Sequence, residues 1–581
     1  MASKCKKQTE SKEEIMKKEL GLGRGRSFAI RAIMVSLLGA SVIVPAYAAD
    51  TTSGPVTLFA PKGLPGVPAL PFTGVKSATF TATDANMAAL DVSPSQGPEG
   101  TPITISGKGL PANVTFPLTW STADGGWVAE VLPNTVNYMG VKYVKYNVDM
   151  ATVTTDATGA FSYKTTIPRD FGAVHDIYAV KDGVAIAHGG FQVNPTLSIT
   201  PKSGPIGTEI TVTYTGMGPN LYTGGSSVLW DNGASGAAQA IWTRGTTVFK
   251  MRASGAVGNH YIGMTAGIGV QYMNVKQSPV PYSKGSVALF KVTKDAGAPA
   301  AYIEYPAVVE PSISQRTTLS DVGLDPETKA VASLSATSGV VGTKVKLDVK
   351  GLTSTGPLSI VWSTVVGNRV NCPPGATCWV YNGVPLGTAT PTSGAISQDV
   401  TIPDNLGGWH VIQVKKGELI EAQIPFYVKE SIFNYVDKAG KVLSAGIALA
   451  DSNPATKNFP ESRDGSGTPT RTFHVGDEFT IAMKGVGWTQ LDNTMAVSYD
   501  NSYIGYGCGF NSNGYMVVHL TATGALGTHI IDLRPVMYVF QPSFANTPYG
   551  ALPIMTNYND IPGLALGYQP PSVHFAITIV K

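Results

Sequence analysis

Charge is scarce in this chain: Asp, Glu, Lys and Arg make up 14% of its 581 residues, and 42 basic side chains nearly cancel 39 acidic ones. No basic face is left for a nucleic-acid partner, whose binding draws most of its strength from phosphate contacts. Cysteine is scarcer still, at four residues. The close pair, Cys372 and Cys378 in "NCPPGATCWV", has no His or Cys neighbour with which to complete a tetrahedral zinc site. Catalytic signatures are missing as well. No HExxH, CxxCH, GxSxG or EF-hand pattern occurs, and the carboxylates are scattered. We therefore expect no enzyme, no cofactor and no metal. Long apolar runs are also wanting. "AIMVSLLGASVIVPA" contains Gly39 and Pro45 and falls short of the roughly 20 residues a spanning helix needs.

What the chain does contain is 65 Gly and 40 Pro, with abundant Thr, Ser and Val, a profile typical of β-rich extracellular modules. Its length suggests three to five domains at roughly 100–200 residues each. The first 48 residues read as an export signal: a basic stretch from Lys4 to Arg31, the apolar run, then "AYA" at Ala46–Ala48. Cleavage after Ala48 is expected, with an uncleaved anchor as the alternative. The destination is the extracellular space or cell surface, with the periplasm as the other compartment. Residues 1–48 carry nine basic and four acidic side chains, so the formal charge of +3 becomes about −2 for the remainder. An oxidising compartment would let Cys372 and Cys378 close a hairpin loop as a disulfide. Cys508 is left as a buried thiol or an intermolecular partner.

Repetition organises the rest. "SPSQGPEGTPITISGKGL" (Ser93–Leu110), "TPKSGPIGTEITVTYTGMG" (Thr200–Gly218) and "SATSGVVGTKVKLDVKGL" (Ser335–Leu352) share a Gly-x-x-Gly-Thr turn and an alternating strand; "FHVGDEFTIAMKGVGW" (Phe473–Trp488) is a degenerate fourth copy. Alternation such as Ile103/Ile105, Ile210/Val212 and Val345/Leu347 puts apolar side chains on one face of a strand. Each copy continues to an aromatic, Trp120, Trp230, Trp362 or Tyr499, and then to a histidine entering a strand, His175, His260, His410 or His529. Three landmarks in one order, four times, at spacings of roughly 80–130 residues, mark a tandem array. A phosphate-binding loop would lead into a helix and carry Lys-Ser/Thr. These turns lead into strands, so they are structural.

About seven short strands per copy, with a central aromatic to plug the space between two sheets, fit an immunoglobulin-like sandwich. At this point the motif set resembles the Ig-like repeats of bacterial and archaeal surface proteins, including the IPT/TIG family, at Pro94–Gly109, Pro201–Gly218 and Ser335–Gly351. Copy three has Ala336 where the proline would stand, and copy four lacks the proline and the first glycine. The resemblance implies an all-β chain of about four tandem Ig-like β-sandwich modules and says little of function.

The expected organisation is a signal (1–48), an N-terminal arm or extra strands (49–89), module 1 (90–194), module 2 (197–293), a linker (294–330), module 3 (331–428), a linker (429–468) and module 4 (469–581). The short join between modules 1 and 2 should be stiff, and the two Pro- and polar-rich linkers should be flexible. Module 4 carries an aromatic-rich insert near 535–570. Its Tyr538, Phe540, Phe544 and Tyr549 form a candidate binding loop for a glycan or a partner surface; the alternative is a loop folded back on its own module. "LPFTG" at Leu70–Gly74 matches a sortase signature but lies at the wrong end of the chain. Asp231 and Asp500 read as turn residues that bond local backbone rather than as calcium ligands. The four repeat histidines occupy equivalent places, which points to a structural role. The expected function is a non-enzymatic surface protein, a structural or adhesive stalk that self-associates or contacts envelope components. The alternatives are a glycan- or protein-binding module protein and an accessory subunit of an extracellular enzyme system.

Overall fold

The structure, a computed structural model, describes residues 55–581 except 84–86, 133–134, 220–223, 268–275, 277–284, 313–322, 368–378, 451–466, 511, 539–550 and 556–558. Residues 1–48, read above as an export signal, and the Cys372–Cys378 pair lie outside the described residues. So do Phe540, Phe544 and Tyr549.

The chain is all-β, built of tandem Ig-like sandwiches. Module 2 shows the plan. Strands Thr196–Thr200, Glu209–Thr215 and Thr247–Arg252 form a three-stranded sheet, and Ser203–Gly204, Ser286–Val292, Gly258–Ala266, Gly225–Trp230 and Gly233–Gln239 form a five-stranded one. Module 3 repeats this three-on-five arrangement, from Val331–Leu334 to Leu419–Lys429. Four apolar clusters fill the spaces between facing sheets, two of them around the fully buried Trp120 and Trp362. Burying one such ring removes about 150–250 Å² from water, worth roughly 4–6 kcal/mol of transfer free energy.

The Gly-x-x-Gly-Thr turn carries the chain from one sheet to the other. Ser203–Gly204 leaves the three-stranded side and pairs in parallel with Lys291–Val292. The second glycine of each turn has positive φ, 81° at Gly100, 84° at Gly207 and 84° at Gly342, a conformation that disfavours any Cβ. The threonine closes the turn: its hydroxyl donates to the carbonyl three residues earlier, at 2.6 Å for Thr101, 2.7 Å for Thr208 and 2.7 Å for Thr343. A Cβ on the first glycine would collide with that hydroxyl, at 2.4 Å for Gly97 and Gly204. The motif is therefore a steric and hydrogen-bonding requirement of the sheet switch.

Modules 1 and 3 resemble each other, as do modules 2 and 4. In modules 1 and 3 the aromatic strand continues into a long hairpin, Thr115–Leu132 with Thr135–Thr154 and Leu358–Gly367 with Trp379–Ala389. In modules 2 and 4 it stops at a two-residue turn: Trp230 pairs with Gly233, and Tyr499 with Ser502. The array is a two-module unit repeated.

The segments expected as linkers carry strands. Tyr302–Glu304 pairs with Ser572–His574, in the last strand of module 4. Ser431–Ile432 pairs with Lys484–Met483, and Ile447–Leu449 with Ile481–Phe479, so module 4 begins almost directly after Lys429. The hairpin Asn434–Ala445 interrupts its first strand. Composition hides most of these strands because they are two to four residues long and lie among Pro, Asp and Lys; the hairpin is one of the two forms, hairpin or helix, that "NYVDKAGKVLSAGIALAD" allows. The N-terminal arm is likewise engaged within its own chain, since Val56–Leu58 pairs with Ala129–Trp127 of the long hairpin.

Candidate functional site

In each module the repeat aromatic and the repeat histidine meet. Ring centroids are 4.3 Å apart for Trp120–His175, 5.2 Å for Trp230–His260, 4.7 Å for Trp362–His410 and 5.4 Å for Tyr499–His529. Each Nε2 lies 2.7–2.9 Å from the carbonyl oxygen four residues earlier: Phe171, Ala256, Leu406 and Ala525. Each Nδ1 faces the residue after the aromatic. In modules 1 and 3 that partner is a backbone carbonyl, Ser121 at 2.7 Å and Ser363 at 3.2 Å. In modules 2 and 4 it is a carboxylate, Asp231 at 2.9 Å and Asp500 at 2.6 Å, and the same carboxylates accept the Tyr261 and Ile530 amides. Burial pushes the His410 imidazole down to about 4. At His529 burial acts the same way, but the Asp500 carboxylate outweighs it and the net shift is upward. Both ring nitrogens face a backbone or carboxylate oxygen in every stack, so each ring is held from two sides.

A second repeated contact joins modules within each unit. Gly172 donates its N–H to the Met217 carbonyl at 2.7 Å, and Gly407 does the same to Val486 at 2.8 Å. Met217 and Val486 in turn donate to Gly245 (3.0 Å) and Gly514 (3.1 Å). The two "G-x-G" strand ends, Gly216–Gly218 and Gly485–Gly487, are thus the sockets of the junction.

Contacts between the units involve residues the repeat motifs do not mark. A cluster of Leu58, Trp127 and Tyr138 from the first module and its arm, Trp242 from the second, Tyr427 from the third, and Leu491, Leu564 and Tyr568 from the fourth forms a shared hub. The short helix Pro562–Ala565 of the module 4 insert is fully buried there. Asp560, just before it, accepts hydrogen bonds from Trp127 Nε1 (2.9 Å), the Trp242 amide (3.0 Å) and Thr243 Oγ1 (3.2 Å). Burial lifts its carboxyl to about 7. Asp492, also buried, accepts the Thr489 amide and hydroxyl at 2.8 and 2.6 Å, and burial lifts it to about 7 as well. Glu430, at the join of modules 3 and 4, is raised well above the usual range by burial, with Asp492 adding to the effect.

Modules 2 and 4 meet through a buried ion pair. Arg252 donates through Nε to Asp532 Oδ1 at 3.0 Å and through Nη2 to Asp532 and to the Phe575 carbonyl, the last at 2.7 Å. His574 Nδ1 lies 2.9 Å from the same carboxylate oxygen. Burial disfavours the Asp532 charge, but Arg252 and His574 overcome it and hold the carboxyl well below its usual range. Asn501 completes the contact by donating to the Arg252 carbonyl at 2.8 Å.

The predicted aromatic and histidine residues are therefore brought together within each module. Of the predicted binding loop, Tyr538 ends its strand opposite Ala551, and residues 559–570 fold into the hub. Cys508 is half-buried beside Val365, Trp488 and Phe510. Sequence reasoning missed Asp560, Asp492 and the Arg252–Asp532 pair. A weak signal existed for the pair: Arg252 lies between Met251 and Ala253, and Asp532 between Ile531 and Leu533, where a charge implies burial with a partner.

No protein-family model matches the chain, and no curated protein matches it. Solved structures with partial likeness include a mutant of Salmonella alpha-2-macroglobulin (9% identity, 90% of this chain and 31% of that one, TM-score 0.16). The ICAM-5 ectodomain fragment (9%, 84% and 99%, TM-score 0.15) and a putative membrane anchored protein from Corynebacterium diphtheriae (12%, 59% and 89%, TM-score 0.14) are similar in the same limited way. The chain thus spans 31% of the macroglobulin's length. At such TM-scores these likenesses carry no argument, and the fold class rests on the sheets themselves. Among the described residues no helix is long and apolar enough to cross a membrane.

Proposed function

We propose that this chain is an exported, non-enzymatic structural protein of the cell surface, with sandwich modules of the IPT/TIG kind, that works as a preassembled block in self-association or in contact with envelope components. The observation that supports this reading is where its buried polar chemistry goes. Asp560, Asp492 and the Arg252–Asp532–His574 group all sit between modules and bond to neighbouring modules or close their own turns. A flexible stalk would leave such residues solvated at independent module surfaces. Here they fix the modules against one another, which suits a subunit that must present several surfaces at set angles.

The test is electron microscopy with light scattering on the chain from Ala49 to Lys581. Ordered lattices, filaments or concentration-dependent growth of compact particles are expected. Monomers at every concentration, with and without divalent cations, would remove the assembly reading. Hydrolysis of peptide, ester or glycoside substrates by the purified protein would overturn the non-enzymatic one.

A further inference from the structure

We propose that module 1 carries a saccharide-binding cleft, formed where its sheet splits beside the histidine stack. The cleft encloses about 370 Å³, within the range of small-molecule sites. Strand Ala173–Lys181 pairs with the aromatic strand only over Leu118–Trp120, after which the aromatic strand leaves with its hairpin partner. Side-chain bonds hold the split open. Ser121 Oγ accepts the Asp176 amide at 2.6 Å, and the Ser121 carbonyl faces the His175 ring at 2.7 Å.

Ser121, Lys145, Asn147, Val174, Asp176 and Tyr178 line the opening. Asn147 stands directly opposite Ser121 across the hairpin. Its Oδ1 is buried without a hydrogen-bond partner and accepts from a guest once the amide turns toward the opening. The Ser121 hydroxyl, occupied as an acceptor, keeps its proton to donate, as does the Lys145 ammonium. Asp176 Oδ1 is engaged by His188 at 2.9 Å, and the Tyr178 ring stacks on that histidine at 4.8 Å. Val174, 63% exposed, forms an apolar rim. Donors and acceptors interleaved around an aromatic and apolar wall suit a ring that presents hydroxyls at its edge and C–H groups on its face. Lys145 and Asp176 leave the opening with no dominant charge, which favours a neutral guest, and the polar lining disfavours a purely apolar one.

Module 3 provides an internal comparison. Its Gly383 occupies the register of Asn147, and Val411 and Gln413 occupy those of Asp176 and Tyr178. There the ladder continues one pair further, to Ser363–Val411, yet the Trp362–His410 stack is kept. The sandwich therefore does not need the polar set of module 1.

The probe is a panel of neutral methyl glycosides of glucose, galactose, mannose and N-acetylglucosamine, read by saturation-transfer difference NMR on the chain from Ala49 to Lys581. At least one sugar should receive saturation, and Asn147→Ala should cut its affinity at least tenfold with an unchanged melting midpoint. Ser121→Ala supplies the same reading if Asn147→Ala does not fold. Absence of saturation for every sugar overturns the proposal, and so does undiminished binding in both variants. The outcome is independent of assembly: a lattice-forming chain that ignores sugars defeats this inference alone.

Discussion

A Cβ added at Gly172 would stand 1.8 Å from the Gly216 carbonyl oxygen, and one at Gly407 would stand 1.7 Å from that of Gly485. Neither obstacle is a flexible side-chain tip, so the backbones would have to separate. Gly407→Ala should therefore destabilise the chain by about 1–3 kcal/mol, as overpacking does, in urea unfolding, while alanine at Gly356, which has open space around its Cβ position, should change little. The plug of each sandwich is a residue-scale matter too. Trp362→Ala removes a fully buried ring and should cost about 3–5 kcal/mol. A midpoint shift confined to measurement error in either variant would contradict the packing described above.

Among the elements, the long hairpin of module 1 separates two tasks. Its base, at Phe116, Leu118 and Trp120, belongs to the module's own core, whereas Trp127, Val136 and Tyr138 near its tip belong to the hub. Replacing residues 125–142 with a two-residue turn of the kind module 2 uses should leave module 1 folded. Residues 551–570 should then become the first site of limited proteolysis, because their apolar partners are gone. Cleavage at the same rate as in the unaltered chain would show that the hub does not depend on the hairpin. The sheet-switch turn is the other informative element. Thr208→Val deletes the hydroxyl bond to Pro205 at nearly constant shape and should cost about 1 kcal/mol.

For the whole molecule, buried charge sets the response to pH and to mutation. Asp492 and Asp560 titrate near 7 when folded and near 4 when unfolded; raised Glu430 acts in the same direction. Between about pH 4 and 7 the folded chain therefore holds the extra protons, and the stability they confer declines as pH rises. His410 works the other way. Its folded value of about 4 lies below the usual 6.5, so its contribution is lost as pH falls through that window. Three carboxyls outweigh one histidine, and unfolding free energy should drop on the order of 3 kcal/mol from about pH 5 to 7. Asp560→Asn should flatten this slope. A melting midpoint that rises across the window would refute the assignment of these carboxyls to a closed hub. The ion pair makes a separate prediction: Arg252→Met strands Asp532 beside His574 and should cost about 3–5 kcal/mol, part of it regained when Asp532→Leu is added.

Local rules were enough to reveal the sandwich plan. Alternation, the Gly-x-x-Gly-Thr turn and the aromatic–histidine order are constraints between residues close in the chain or repeated at fixed spacing, and they are visible without coordinates. The Trp–His stacks follow from the same order, because the two landmarks lie on adjacent strands of one sheet. The connectors read as linkers because strands of two to four residues carry too little periodicity to stand out from Pro and Asp. What tertiary structure alone decided is the arrangement of the modules. Trp127 and Asp560, or Arg252 and Asp532, are hundreds of residues apart, and nothing in either neighbourhood encodes the other. Their pairing depends on the angles at which whole sandwiches pack, a property of the assembled surfaces rather than of any local stretch of sequence.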